Sequence, residues 1–335
     1  MHLAAVTASI PSPSFNQIHI GPLDLRMYGL CIALGVIAAV WLSSRRWEAR
    51  GGNPDDIGTI ALWAVPAGVI GARMYHVATD WELYRGRWID TLKITQGGLG
   101  IPGGILAGVL AGLVVVKIKK LPAVELLDVV APALPLAQAI GRFGNYFNQE
   151  VFGRPTSMPW GLRIDPAYRP EAYLGYSYFH PTFAYEGLWN IGLMFLLLWL
   201  DKHKRLRRGE LFTLYVFGYS MGRFWVESLR SDHASLVLGL RVNIWMSLIV
   251  GLVALGILIR MRMRGPSPDD NLPEGERPGR DDVEGGGGEA QTAVGAAADP
   301  DDEVEDDPWA PPTTGAAADE TEVDVADAGS GVEPT

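Results

Sequence analysis

The amino-acid sequence predicts an all-α polytopic membrane protein with seven transmembrane helices. Three observations lead there. Seven apolar runs are each long enough, as helix, to cross about 30 Å of hydrocarbon, which takes roughly 20 residues. Basic residues cluster after every second run. The polar residues that interrupt the runs collect at one leaflet instead of scattering. The length of the runs argues against a soluble helical protein.

The runs cover residues 25–44, 57–78, 99–118, 123–143, 180–200, 210–229 and 242–260. The first opens on Tyr28 and the second carries Arg73 near its far end. A glycine-rich stretch starts the third. The fourth and sixth are the weaker spans, because polar residues gather at one end of each. His180 opens the fifth. Arg260, Arg262 and Arg264 close the seventh.

Basic clusters follow the first, third, fifth and seventh runs: Arg45, Arg46 and Arg50; Lys117, Lys119 and Lys120; Lys202 through Arg208; and the three arginines after residue 259. Cytoplasmic loops carry such an excess. The N-terminus is therefore expected outside and the C-terminus in the cytoplasm, which an odd number of spans permits. Residues 1–20 contain no Lys or Arg and are broken by Pro11 and Pro13, so they do not read as a signal peptide.

The connection over 144–179 is too long for a simple turn and contains Pro155, Pro159, Pro166 and Pro170. A small extracytoplasmic head domain with irregular or β structure is expected there. Residues 265–335 hold 21 of the 38 acidic residues against Arg277 and Arg280, a net charge of −19. Their one large aromatic is Trp309, so they cannot bury enough apolar surface to offset the entropy of ordering. They are expected to form a disordered acidic cytoplasmic tail, either a solvated extension or an interaction arm. The organisation is thus a membrane domain over 1–264, with 144–179 as its head insertion, and a tail over 265–335.

The single cysteine, Cys31, lies inside the first run and reads as a small buried hydrophobe, not a nucleophile. No His/Cys/Asp/Glu spacing resembles a metal site, and no Gly-rich nucleotide loop is present. No cofactor, no metal and no nucleic-acid partner is expected.

The chemistry-bearing residues sit at the outer ends of the spans. Arg142, Asn145 and Glu150 end the fourth. Tyr219, Arg223, Glu227 and Arg230 recur at helical spacing and line one face of the sixth. Two arginines around one carboxylate could be a self-satisfied ion pair. They also leave positive charge over, to which Arg142 adds, and planar guanidinium forks suit phosphate. An ionisable residue within a span usually has a partner or a task. The stretch Gln96-Gly97-Gly98-Leu99-Gly100-Ile101-Pro102-Gly103-Gly104 admits two readings: a helix start that accepts an anion, or tight packing through small residues. Glu150 has three open roles: partner to Arg142, partner to Arg154, or base. His180 is either a cap or a functional group.

These residues resemble a known family, the bacterial prolipoprotein diacylglyceryl transferases. Its signature region is similar to Gly141-Arg142-Phe143-Gly144-Asn145 through Glu150, followed by Gly153-Arg154-Pro155-Thr156. Arg26-Met27-Tyr28-Gly29, His180 through Glu186, and Tyr219 through Phe224 with Glu227 and Arg230 match in order. Gly71-Ala72-Arg73 and Asp128 with Pro132 also fit, so the resemblance covers about residues 20–262.

The resemblance implies an enzyme of the bacterial cytoplasmic (inner) membrane. It would move the diacylglyceryl group of phosphatidylglycerol onto the lipobox cysteine of a prolipoprotein signal peptide, with glycerol phosphate leaving. Phosphatidylglycerol, prolipoprotein precursors and membrane lipids are the implied partners. Arg142, Arg223 and Glu150 become candidate catalytic residues. Tyr28, Asn145, Arg230, Glu227, Arg73, Gly103 and Gly104 become candidate substrate-binding residues, with Glu227 holding Arg223 and Arg230. Asp128 and Glu186 are read as structural. One departure matters: where many members carry a histidine in the glycine-rich motif, proposed as the base for the thiol, this chain has Pro102. The competing readings are a lipid or anion transporter, whose arginines would bind cargo, and a membrane scaffold.

Overall fold

A computed structural model describes residues 9–264, except 22, 93–96, 205 and 232–235. The expected acidic tail, 265–335, lies outside the described residues.

The chain enters through a hairpin of β1 (Gln17–Ile20) and β2 (Leu23–Arg26), then forms α1 (Met27–Glu48) and α2 (Pro54–Thr79). Asn53 caps α2 by accepting the Asp55 N–H, and Pro54 occupies the first turn, where its missing N–H costs nothing. Short 3-10 turns at Trp81–Tyr84 and Trp88–Leu92 lead towards α3 (Ile101–Ile118). Next come α4 (Ala123–Val130) and α5 (Ala133–Phe147). A short antiparallel pair follows, β3 (Leu162–Arg163) with β4 (Tyr178–Phe179). Then α6 (Thr182–His203) and α7 (Glu210–Leu229) precede a tight hairpin of β5 (Leu236–Val237) and β6 (Leu240–Arg241). The last element is α8 (Val242–Met263).

Among the described residues, α1, α2, α3, α6 and α8 are long and apolar enough to cross a membrane, and α4 with α5 makes a sixth if the pair is one span. The molecule is an all-α, multi-span membrane protein. Helix α7 falls short on composition, because Arg223, Glu227 and several glycines and tyrosines dilute its apolar residues.

The fourth run is not one helix. It bends by 43° between Val130 and Ala133. Pro132 lacks an N–H and its ring crowds the carbonyl four residues earlier, so the ladder cannot continue. The freed carbonyls find another donor. Arg46 of α1 donates to the oxygens of Asp128 (3.0 Å) and Val129 (2.9 Å) and pairs with Asp201 of α6 at 3.0 Å. One guanidinium thus ties α1, α4 and α6 together at this end. Asp128 accepts the N–H groups of Gly209 (2.6 Å) and Phe212 (2.9 Å), so it caps α7.

The seam between α2 and α3 is built on glycine. A Cβ on Gly71 would lie 2.5 Å from the Gly103 oxygen, and one on Gly103 would lie 2.3 Å from the Gly71 oxygen. Gly68 and Gly104 face each other in the same way, at 3.3 and 3.2 Å. Backbones this close are the small-residue packing typical of helices in lipid.

Residues 144–147 prove to be the last turn of α5, so the irregular segment begins at Asn148. It packs Phe152, Leu162, Ile164 and Phe179 onto Phe183 of α6. The segment before β1 joins it: Ile10 bridges to Leu162, donating to Gly161 O and accepting from Arg163 N.

Candidate active site

Two buried carboxylates organise the arginines. Glu186 lies in the first turns of α6 and is 2% exposed. One of its oxygens pairs with Arg142 of α5, and the other lies 3.5 Å from Arg223 of α7. Arg223 reaches on, at 2.7 Å, to Glu227, which is fully buried. Glu227 also takes Arg241 at 2.6 Å, the amide of Asn243 at 3.2 Å and, at 3.9 Å, Arg230. Among the described residues, Arg142, Arg223, Arg230 and Arg241 thus gather on two buried carboxylates. Ion pairs so buried survive only where good geometry offsets desolvation, and guanidinium forks held this way suit a phosphate.

The network continues to Glu150 through an amide. Arg142 has a long contact, 3.4 Å, to the Asn145 side-chain oxygen, and Asn145 donates to Glu150 at 2.9 Å. Asn148 donates to the same Glu150 oxygen at 3.1 Å. Glu150 sits between two residues in the left-handed region, Gln149 (φ 51°) and Val151 (φ 59°). For a β-branched valine this backbone is costly and persists only where the surroundings over-determine it. Here they do. Gln149 is held on both sides by Asp165, at 2.8 and 2.9 Å, and the Val151 oxygen accepts the Thr182 hydroxyl.

Tyr28, in the first turn of α1, reaches this group because of a glycine. A Cβ on Gly144 would lie 2.7 Å from the Tyr28 ring, so only glycine at 144 lets the tyrosine lie this close to α5. Tyr28 and Glu150 line a cavity of about 900 Å³ together with Arg26, Gly97, Gly98 and Asn148. A second cavity, about 570 Å³, shares Asn148 and Glu150 and extends to Tyr168 and Ser231. Arg142 and Arg223 lie outside the linings of both.

Arg73, Gly103 and Gly104 stand apart from the arginine network. Arg73 is buried, donates to the carbonyls of Asp90, Thr91, Gly97 and Gly98 at 2.6 to 3.0 Å, and lies over the Tyr84 ring. It pins the segment that walls the larger cavity. Gly103 and Gly104 lie in the α2–α3 seam, with Pro102 in the first turn of α3. Of the two readings of the glycine stretch, these positions realise packing. His180 lies 3.2 Å from the Tyr185 hydroxyl, which also accepts from Trp160, and burial pushes its imidazole below the usual histidine range.

The sequence left Glu186 as a structural residue, whereas it is the joint between the two central arginines. Arg241 was not visible as a site residue at all. It stands just before the seventh run, with no acidic residue at helical spacing to betray its partner.

The match to known proteins covers this whole region. A family model described as prolipoprotein diacylglyceryl transferase matches residues 16–260. The chain is 49% identical over 262 residues to phosphatidylglycerol–prolipoprotein diacylglyceryl transferase 2 of Streptomyces coelicolor, covering 77% of this chain and 83% of that one. It is 45% identical to transferase 1 of the same organism, covering 88% and 82%. With the enzyme of Rhodococcus jostii the identity is 44%, covering 90% and 87%. The signature arginines, the tyrosine beside them and the helical frame that gathers them thus have one common explanation, and the chain belongs to the prolipoprotein diacylglyceryl transferase family.

Proposed function

We infer that the chain transfers the diacylglyceryl group of phosphatidylglycerol to the lipobox cysteine thiol of prolipoproteins, releasing glycerol phosphate. The observation that carries this reading is the pair Arg142 and Arg223 on one buried carboxylate, within a chain that the family model covers from 16 to 260. The thiol sulfur attacks a glycerol carbon, and the C–O bond to phosphate breaks. Charge accumulates on the departing phosphate. Fixed guanidinium groups bind that charge more strongly in the transition state than in the ground state, which is what accelerates a step.

In this scheme Arg142 and Arg223 neutralise the leaving phosphate, and Glu186 holds both in place. Tyr28 and Asn145 orient the lipid headgroup. Glu150 lines the cavity and, with Glu227 and Arg230, supports the polar network. Arg73, Gly103 and Gly104 act through the wall, by fixing the segment that carries Gly97 and Gly98. The proposed topology is seven spans in the bacterial cytoplasmic membrane, with α4–α5 as one bent span and α7 shielded by its neighbours. The N-terminus and the 148–181 segment are outside, and the tail is in the cytoplasm.

The test is mass spectrometry of a synthetic lipobox peptide incubated with the purified protein and phosphatidylglycerol. A diacylglyceryl mass increment on the cysteine is expected. An unmodified peptide, with lipid carried across the bilayer instead, would favour the transporter reading.

A further inference from the structure

Guanidinium groups cannot accept a proton, so the arginine network leaves the thiol proton without a destination. A free thiol is only a few per cent ionised at pH 7, and an acceptor within reach makes its sulfur a nucleophile. Glu150 takes both amides, of Asn145 and Asn148, on one carboxylate oxygen and is one candidate acceptor.

Another acceptor stands directly behind the cavity wall. His76 is in the last turn of α2, and its ring lies directly against Gly98, which lines the cavity with Tyr28 and Glu150. A side chain at 98 would place its Cβ 2.6 Å from His76 Nε2 and 2.5 Å from Cδ2, so the glycine is what lets ring and wall touch. On the ring's other side, Nδ1 is 3.0 Å from Asp80 Oδ2. Asp80 is itself oriented by the Thr79 hydroxyl at 2.8 Å. The carboxylate selects the tautomer with the proton on Nδ1 and leaves the Nε2 lone pair as an acceptor. Among the described residues no hydrogen bond occupies Nε2.

We propose that His76, oriented by Asp80, accepts the proton of the incoming cysteine thiol. The inference rests on the transfer reaction above. The S–H proton passes to Nε2 while the sulfur lone pair bonds to the glycerol carbon. The C–O bond breaks and its electron pair leaves on the phosphate oxygen. The imidazolium then returns its proton to the released phosphate monoester. Among the described residues, the groups around the ring are the Asp80 carboxylate, the Arg73 guanidinium, which meets the same Gly98 position at 2.6 Å, and the Tyr84 ring, edge-on at 6.0 Å. Arg26 approaches the neighbouring Gly97 and supplies a cation beside the wall.

A histidine that only ends the helix, favoured there by the carbonyl dipole, would look similar in a static structure. Kinetics separate the two. The full-length protein in mixed micelles is assayed with phosphatidylglycerol and a lipobox peptide from about pH 5.5 to 9.5 as wild type, H76Q and D80N. Wild-type kcat/KM for the peptide is expected to rise with pH along a limb that depends on His76. H76Q is expected to lose that limb and to run on the order of 10²-fold slower at pH 7. Its deficit shrinks towards pH 9.5, where the thiol ionises unaided, and its KM for phosphatidylglycerol is unchanged. D80N falls between. An H76Q defect equal at every pH, or no defect, overturns the proposal. So does a wild-type profile that follows only thiol ionisation near about 8.5, a measurement that needs no variant. A wild type that modifies no peptide at any pH strikes the transfer reading itself.

Discussion

Arg142 and Arg223 come from different helices and end on opposite oxygens of one carboxylate, that of Glu186. The spacing of the two cations is therefore set by a third side chain that never needs to touch substrate. Glu186 stands on α6, between α5 and α7 in chain order, and its near-complete burial leaves it no other partner of opposite charge in the described structure.

Removing a guanidinium should remove the reaction and leave the protein folded. Arg142→Ala is expected to lower kcat by 10²-fold or more, on the order of what one lost donor at a developing anion costs. Turnover of phosphatidylglycerol with lipobox peptide, set beside size-exclusion behaviour in detergent, reads both effects. A folded variant with full activity rejects the role.

Glu186→Gln keeps the shape and removes the charge. Two cations then share a neutral amide, and their separation relaxes. A fall in kcat of about tenfold or more is expected, with a smaller change in the KM for lipid, because orientation matters most where charge develops. Glu186→Ala leaves Arg142 without its carboxylate, while Arg223 keeps Glu227 at 2.7 Å, and should cost about 3–5 kcal/mol of stability. A thermal-unfolding midpoint equal to that of the wild type would contradict the central place given to this residue.

The glycine seam makes a prediction that does not involve the reaction. Gly103→Ala drives a methyl to 2.3 Å from a backbone oxygen, and α2 must move away. Overpacking of this kind costs about 1–3 kcal/mol. Gly58→Ala, in the same helix pair but facing open space, should leave the midpoint unchanged or slightly raised. Equal behaviour of the two variants would show that the seam is not tight.

Residues beyond the membrane domain should be dispensable for chemistry. The family match ends at 260, and α8 ends at Met263. A protein lacking residues 268–335 is expected to keep turnover within about twofold of wild type, since every residue assigned to the site precedes residue 244. A correctly folded truncation that no longer modifies peptide would give the acidic tail a part in catalysis.

Hydrophobic run length and residue type make much of this protein legible in its sequence alone. A stretch of about 20 apolar residues has few fates other than a buried or spanning helix. Arginines at the ends of such stretches announce a polar site, because their burial must be compensated. Arg142, Asn145, Glu150, Arg223 and Glu227 can be named on that basis.

Pairing, in contrast, is decided only by the tertiary structure. Glu186 and Arg241 are linked to the site by contacts across 37 or 44 positions in one case and 14 in the other, which no local spacing reveals. The bend at Pro132 frees the carbonyls of Asp128 and Val129, and Arg46 satisfies them from 82 and 83 positions away. Gly103 and Gly104 read equally well as ligand cradle or as seam, and it is the backbone of α2 lying against them that makes them a seam. Local chemistry sets which groups must find a partner; which partner they find depends on which helix faces come to lie side by side, a property of the packed chain as a whole.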